Sequence, residues 1–272
     1  MSKRIKIFGM NIDALGMRES VRKVLDWCDE GPPTECRYVV TPNVDHVVLY
    51  QSNQLLRSAY TGASLVVADG APVVLASRLL RKSLPERVAG SDLVPALFAQ
   101  VASHEKYLES PLRVALVGAA PGVAERAARN IHARWSGVEV VATESPPLGF
   151  EQNDAENQRI LDVVARAQPD LVLIGLGAPK QEIWTHQHAG QLQAKVALCV
   201  GATIDFLAGE RARSPQWMQR CGLEWLHRLA SEPSRLAKRY LRDAWLFPQL
   251  VWRDWRGTIE YPELQRGFQK TS

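Results

Sequence analysis

The sequence predicts an α/β fold: a Rossmann-like, mostly parallel sheet with helices on both faces, followed by a basic, aromatic helical appendage at the C-terminus. Three observations predict it. Short apolar runs rich in β-branched residues recur at roughly 25–30 residue intervals and alternate with helix-like stretches, the pattern of βαβ units. Glycines and polar residues follow several of these runs directly, as expected where strands feed into helices. Composition then changes near Asp205. From there on the chain has 12 Lys or Arg against 8 Asp or Glu, so the whole net charge of +4 lies in this part, together with five of the eight tryptophans.

The elements follow in order. Arg4 to Phe8 reads as a first short strand, and Glu19 to Cys28 as a helix with Val21, Val24 and Leu25 on one face. Tyr38 to Thr41 is a strand, and Pro42-Asn43 opens a helix expected to continue through Arg57. Leu65 to Ala68 is a strand, and Asp69-Gly-Ala-Pro72 opens the next helix. Residues 81–91 are a polar loop before a helix over Leu93–Val101. Val114 to Val117 is a strand, Gly118 to Gly122 a turn, and a helix runs to about Trp135. Val138 to Ala142 is a strand and Ala155 to Ala167 a helix. Leu171 to Ile174 then forms a buried strand, and Gly175 and Gly177 turn the chain. Pro179 fits the first turn of the helix beyond, and Val196 to Val200 is the last strand.

Bulk properties bound the function. A chain of 272 residues buries a large core in one or two domains, here divided as 1–205 and 206–272. With 46% hydrophobic and 23% charged residues it has the composition of a globular protein. Cys28, Cys36, Cys199 and Cys221 form no CxxC pair and suit a reducing compartment. The N-terminus lacks the apolar region of a signal peptide, and no run reaches the length of a membrane span. The expected location is therefore cytoplasmic. The basic, aromatic tail points to an anionic partner or a membrane surface.

Candidate site residues lie where the strands end. Thr41 and Asn43 read either as a helix cap or as holders of a substrate sugar. Asp69 reads either as an N-cap or as a general base that deprotonates an attacking hydroxyl. Gly118-x-x-x-Gly122 could cradle a phosphate, but it lacks the GxGxxG spacing, and the acidic ribose partner of a dinucleotide site is missing too. This weakens the alternative of a nucleotide-dependent oxidoreductase. Lys180, a cation at a helix start, is either a surface accident or a phosphate ligand. His186 and His188, two apart on a helix, point away from each other, so no metal site is expected. Arg235, Lys238, Arg239 and Arg242 share one helical face, with Leu236, Tyr240, Leu241 and Trp245 on the other. That is either an interfacial membrane helix or a solvated one.

With these residues in view, the chain resembles the WecG/TagA/CpsF glycosyltransferases. The markers are Thr41-Pro-Asn43, Asp69-Gly70, Arg87-Val-Ala-Gly-Ser-Asp92, Gly175-Leu-Gly-Ala-Pro-Lys-Gln-Glu182 and Val200-Gly-Ala-Thr-Ile-Asp-Phe-Leu-Ala-Gly209. Gly222-Leu-Glu-Trp-Leu-His-Arg228 follows, leading into Glu232-Pro-Ser-Arg235. The resemblance implies an inverting, metal-independent transferase without a cofactor. It would use a UDP-sugar donor (N-acetylmannosamine, its uronic acid, or glucose) and a polyprenyl-diphosphate-linked acceptor at the inner face of the cell membrane. It implies Asp69 as base, with Thr41 and Asn43 beside it, and a nucleotide-sugar pocket lined by Gly118, Gly177, Lys180, Gln181, Glu182, Gly201 and Asp205. It implies Arg213, Arg228, Arg235 and Arg239 at the acceptor diphosphate and membrane. Here Ala68 stands where the family usually has proline, Ser214 stands in its Arg-Ala-Pro motif, and His227 replaces an aromatic residue. No nucleic-acid partner is expected; a homo-oligomer is compatible with the sequence, which leaves the oligomeric state open.

Overall fold

The structure, a computed structural model, describes residues 3–31, 34–215, 217–218 and 222–259. Its centre is a six-stranded, wholly parallel sheet formed by β3 (Arg37–Val40), β4 (Leu65–Val66), β5 (Leu112–Gly118), β6 (Val138–Glu144), β7 (Leu171–Gly175) and β8 (Val196–Cys199), in the spatial order 4-3-8-7-5-6. The expected fold class is the observed one.

Side-chain alternation divides the core into two layers. Tyr38, Val40, Ala115, Val117, Val172, Ile174, Ala197 and Cys199 face one layer. Val39, Leu112, Val114, Leu116, Leu171, Leu173, Val196 and Leu198 face the other. The second layer is closed by α1 (Met17–Asp29), α5 (Gly90–Ala102), α7 (Val123–Arg134) and α10 (Thr203–Leu207). The first is closed by α2 (Val44–Tyr50), α3 (Gln54–Gly62), α4 (Ala71–Leu79), α8 (Asp154–Ala167) and α9 (Lys180–His188). A short α6 (Lys106–Glu109) precedes β5. The side chains of Cys28, Cys36 and Cys199 are buried and unpaired, as small apolar fillers; Cys221 lies outside the described residues.

Two local expectations are corrected. The N-terminal strand does not join the main sheet: β1 (Arg4–Ile7) pairs antiparallel with β2 (Met10–Asp13). The cause is the turn between them. Phe8 and Gly9 both take positive φ (52° and 81°), the backbone of a tight hairpin, so a partner strand follows at once. The helix expected from Pro42-Asn43 through Arg57 is two helices, α2 and α3. Asn53 caps the second, its Oδ1 accepting the Leu56 N–H at 3.0 Å. Arg57 reaches back to the carbonyls of Tyr50 (3.3 Å) and Gln51 (3.0 Å), satisfying the end of the first.

The described residues of the tail pack on this body. It contains α11 (Glu224–Ser231) and the long α12 (Pro233–Trp255). Leu236 and Leu250 are buried, and the Phe247 ring lies 5.3 Å from that of Phe8. Asp254 accepts the Phe8 N–H at 2.7 Å and pairs with Lys82 at 2.6 Å, holding the strained hairpin turn from outside. The position 205 chosen as a boundary falls within α10, which packs on α7.

The strands approach each other closely at their carboxyl ends. A Cβ on Gly118 would lie 2.5 Å from the backbone of Gly175, and Gly118 sits at φ 126°. We therefore expect Gly118→Ala to destabilise the fold by more than about 2 kcal/mol, since both backbone strain and a backbone clash must be relieved. Urea unfolding of the two proteins measures it.

Candidate active site at the carboxyl ends of the sheet

Adjacent strands β5 and β7 send their chains in opposite directions, β5 to β6 and β7 to β8. Such a reversal opens a crevice outside the carboxyl ends of the strands. Thr41 and Asn43 follow β3, Asp69 and Gly70 follow β4, Gly118 ends β5, Gly177 to Glu182 follow β7, and Gly201 to Asp205 follow β8. The fold thus brings the residues expected at the site to one rim.

Asp69 is held by its backbone, whose N–H donates to the Pro42 carbonyl at 2.8 Å and so fixes it beside Thr41-Pro42-Asn43. It is not the cap of α4. That position belongs to Gly70 at φ 133°, with no side-chain cap bond. The cap reading of Asp69 is therefore set aside. Its carboxyl is pushed up from 3.8 to about 6: burial raises it most, the guanidinium of Arg87 opposes, Glu224 raises it further, and His46 and Arg228 lower it. A carboxylate poised there is suited to take a proton near neutral pH.

An ionic frame surrounds Asp69. Arg87 donates to Glu224 at 3.0 Å and also to Asp92. Arg213 donates to Asp92 at 2.7 Å and to the Ser91 carbonyl at 3.2 Å. A Cβ on Gly222, whose φ is 72°, would lie 2.5 Å from Cβ of Ala71, so the tail backbone presses on the start of α4. The tail therefore roofs the Asp69 end of the rim.

Asn43 was read as cap or sugar holder, and the cap is present: its Oδ1 accepts the His46 N–H at 3.3 Å. Behind it runs a buried hydrogen-bonded chain. His46 Nδ1 lies 2.9 Å from Asn43 Oδ1, and His46 Nε2 lies 3.1 Å from Glu182 Oε1. Glu182 Oε1 also accepts from Gln181 Nε2 at 2.7 Å, and Gln181 Oε1 accepts the Gly201 N–H at 3.0 Å. Gln181 and Glu182, expected to line the pocket, are thus buried and turned to protein partners. Lys180 is paired with Glu151 at 2.5 Å. Gly177 and Gly201, both at positive φ, have nothing within 4 Å of where a side chain would stand, so these turns face open space. Asp205 is half-buried; burial raises its carboxyl, and Arg211 at 3.9 Å opposes this. Thr41 is buried.

The tail arginines divide. Arg213 is committed to Asp92, and Arg239 to the buried Asp45 at 3.4 Å. Arg242 also pairs with Asp45, while Lys238 on the same face is exposed. The side chain of Arg235 lies outside the described residues. Arg228 is half-buried, acts on Asp69 electrostatically, and has no ion-pair partner among the described residues. His186 contacts the Tyr38 hydroxyl at 3.0 Å and the His188 ring lies 5.0 Å from Trp184, so the two histidines have different neighbours.

Three participants went unassigned in the sequence. His46 was legible only as a polar residue three beyond Asn43 in an otherwise apolar helix start. Arg87 and Glu224 stood inside motifs that gave no hint of their pairing.

Fold and rim together define an α/β protein with a candidate active site at the carboxyl ends of a parallel sheet. The chain belongs to the glycosyl transferase WecG/TagA/CpsF family, whose family model matches residues 5–260. It is a glycosyltransferase, which removes the oxidoreductase alternative. It is similar to the N-acetylglucosaminyldiphosphoundecaprenol N-acetyl-beta-D-mannosaminyltransferase of Staphylococcus aureus (strain MRSA252), 27% identical over 86% of this chain and 87% of that protein. It is also similar to the enzyme of the same name from Bacillus spizizenii (strain ATCC 23059 / NRRL B-14472 / W23), 29% identical over 73% of this chain and 72% of that one.

A carboxyl whose folded pKa of about 6 exceeds its ordinary 3.8 keeps its proton in the folded chain while the unfolded chain releases it, so stability falls as pH rises across that interval. Asp69→Asn is expected to raise the thermal midpoint above about pH 6 and to leave it unchanged below about pH 4. Thermal unfolding of both proteins across pH checks it.

Proposed function

We propose that this chain transfers a sugar from a UDP-sugar to a polyprenyl-diphosphate-linked N-acetylglucosamine, with inversion and without a metal, in the making of a cell-surface polymer. N-acetylmannosamine is the donor sugar named by the relatives; its uronic acid and glucose are the alternatives. The observation that carries the reading is Asp69: a carboxyl with a pKa of about 6, fixed at the strand-end rim and roofed by a basic tail.

The donor diphosphate lies against the open turns at Gly177 and Gly201, where backbone can approach closely. The acceptor hydroxyl attacks C1 from the face opposite UDP, and Asp69 takes its proton. A bond forms between that oxygen and C1, and the bond from C1 to the diphosphate oxygen breaks, leaving UDP. Arg228 holds the acceptor diphosphate, because its charge is uncommitted among the described residues.

The tail supports peripheral attachment at the inner face of the membrane. No helix among the described residues is long and apolar enough to cross a bilayer. Leu241 and Trp245 are 72% and 74% exposed, and Trp252 and Trp255 continue this outward face beside Leu79 of α4. Tryptophans on an apolar helical face suit the interface between headgroups and acyl chains.

UDP release is measured with a short-chain prenyl-diphosphate-linked N-acetylglucosamine and a panel of UDP-sugars. We expect release with UDP-N-acetylmannosamine, a loss of about 10²–10⁴-fold in Asp69→Asn, and a higher KM for the lipid acceptor alone in Arg228→Ala. No release with any UDP-sugar overturns the reading. In sedimentation with anionic phospholipid vesicles the full chain should pellet and Trp245→Ala/Trp252→Ala should pellet less; equal pelleting removes the proposed membrane face.

A further inference from the structure

Lys180 opens α9 just past the open turn at Gly177, and its ammonium group is paired with Glu151 at 2.5 Å. The fold gains little stability from this arrangement. A cation in the first turn of a helix opposes the macrodipole, and an ion pair whose lysine is 46% exposed is weak in water.

The pair is nevertheless held in place from behind. Glu151 lies in the short helical turn Phe150–Gln152 between β6 and α8. Phe150 is buried, its ring 6.1 Å from that of Trp184. Trp184 Nε1 donates to Asn157 Oδ1 at 2.8 Å, and Asn157 Nδ2 donates to the Glu151 carbonyl at 3.4 Å. Trp184 stands one turn beyond Lys180 on the same side of α9. One stripe of α9 therefore carries the cation and fixes the backbone of the carboxylate that faces it. Lys180 in turn holds the Glu151 carboxyl below its ordinary value, so Glu151 is ionised at neutral pH.

Such a pair has no net charge. A diphosphate seated at the Gly177 turn is attracted by the ammonium and repelled by the carboxylate beside it. Glu151 uses one of the three N–H donors of Lys180, which leaves two for phosphate oxygens. The charge of the ligand changes during transfer. When the bond from C1 to the diphosphate oxygen breaks, its electron pair stays with UDP. A terminal phosphate loses its second proton near about pH 6, so UDP carries one more negative charge than its sugar ester. A lone lysine would then grip the product more tightly than the donor that must replace it.

We propose that Glu151 is a positioning residue for product release: Lys180 binds the donor diphosphate by hydrogen bonds, while Glu151 cancels its charge so that UDP leaves after transfer. This rests on the placement of the donor diphosphate at the Gly177 and Gly201 turns.

The test is isothermal titration of the full chain with UDP and, separately, with the donor that the UDP-release assay selects. Lys180→Ala should weaken UDP binding by about tenfold, as the loss of a charged hydrogen-bond donor does. Glu151→Gln keeps the shape and removes the repulsion. It should tighten UDP by about fourfold and the donor by only about twofold, within the range of exposed charge pairs, and UDP should become a stronger product inhibitor. Both gains should shrink at high salt. Lys180→Ala/Glu151→Gln, neutral like the wild type, should regain part of the affinity lost in Lys180→Ala. UDP binding that Glu151→Gln leaves unchanged or weakens, or an equal gain for UDP and donor, overturns the proposal and leaves the donor site standing. So does a double variant that regains nothing. A wild-type chain that binds no UDP refutes the assigned donor and the proposal with it.

Discussion

The rim depends on one buried carboxylate. Glu182 is almost fully enclosed, and a charge in that setting costs several kcal/mol unless it is paired and hydrogen-bonded. Its partners come from two directions: His46 on α2, and Gln181, which reaches the Gly201 amide after β8. The ends of three neighbouring strands, β3, β7 and β8, are thereby tied to one charge. Removing a partner would leave that charge stranded, so the geometry at the rim is held far more firmly than loop backbone alone would hold it. Asn43 inherits this rigidity, and Asp69 shares it through its bond to Pro42.

Asp69 stands in contrast. Its surroundings leave it partly buried with charges of both signs nearby, and burial wins. A carboxylate serving only stability would be better paired with Arg87 directly. Here Arg87 is drawn to Glu224 and Asp92. Because Glu224 lies in the tail, the pKa of Asp69 is coupled to the tail's placement: Glu224 raises it, against the lowering by Arg87.

The tail illustrates how one composition serves two ends. Its positive charge suggested an anionic partner, yet Arg213, Arg239 and Arg242 spend their charge on Asp92 and Asp45 of the body. Facing outward on α12 are apolar and aromatic residues, led by Leu241 and Trp245, together with the exposed Lys238 and Arg253. Arg239 and Arg242 fasten the helix to the body, and the tryptophans are among what it presents.

Much of this was legible in the chain itself. Apolar runs at regular spacing dictated a parallel sheet, because such runs are stable only when covered on both faces, and glycines after them marked the rim. Local signals failed where a distant contact decided. Phe8-Gly9 turned the first strand into a hairpin that Asp254, 246 residues away, helps to hold. Asn53 broke a helix that periodicity alone would have continued. Lys180, Gln181 and Glu182 looked alike as rim residues in one motif, but a helix start sends successive side chains in different directions: Lys180 to Glu151, the other two into the interior. The sequence determined the fold class, the family and the rim, since those follow from short-range pattern. Only the tertiary structure decided which charges are spent on each other and which stay free for a substrate, because pairing depends on side chains brought together from elements far apart in the chain.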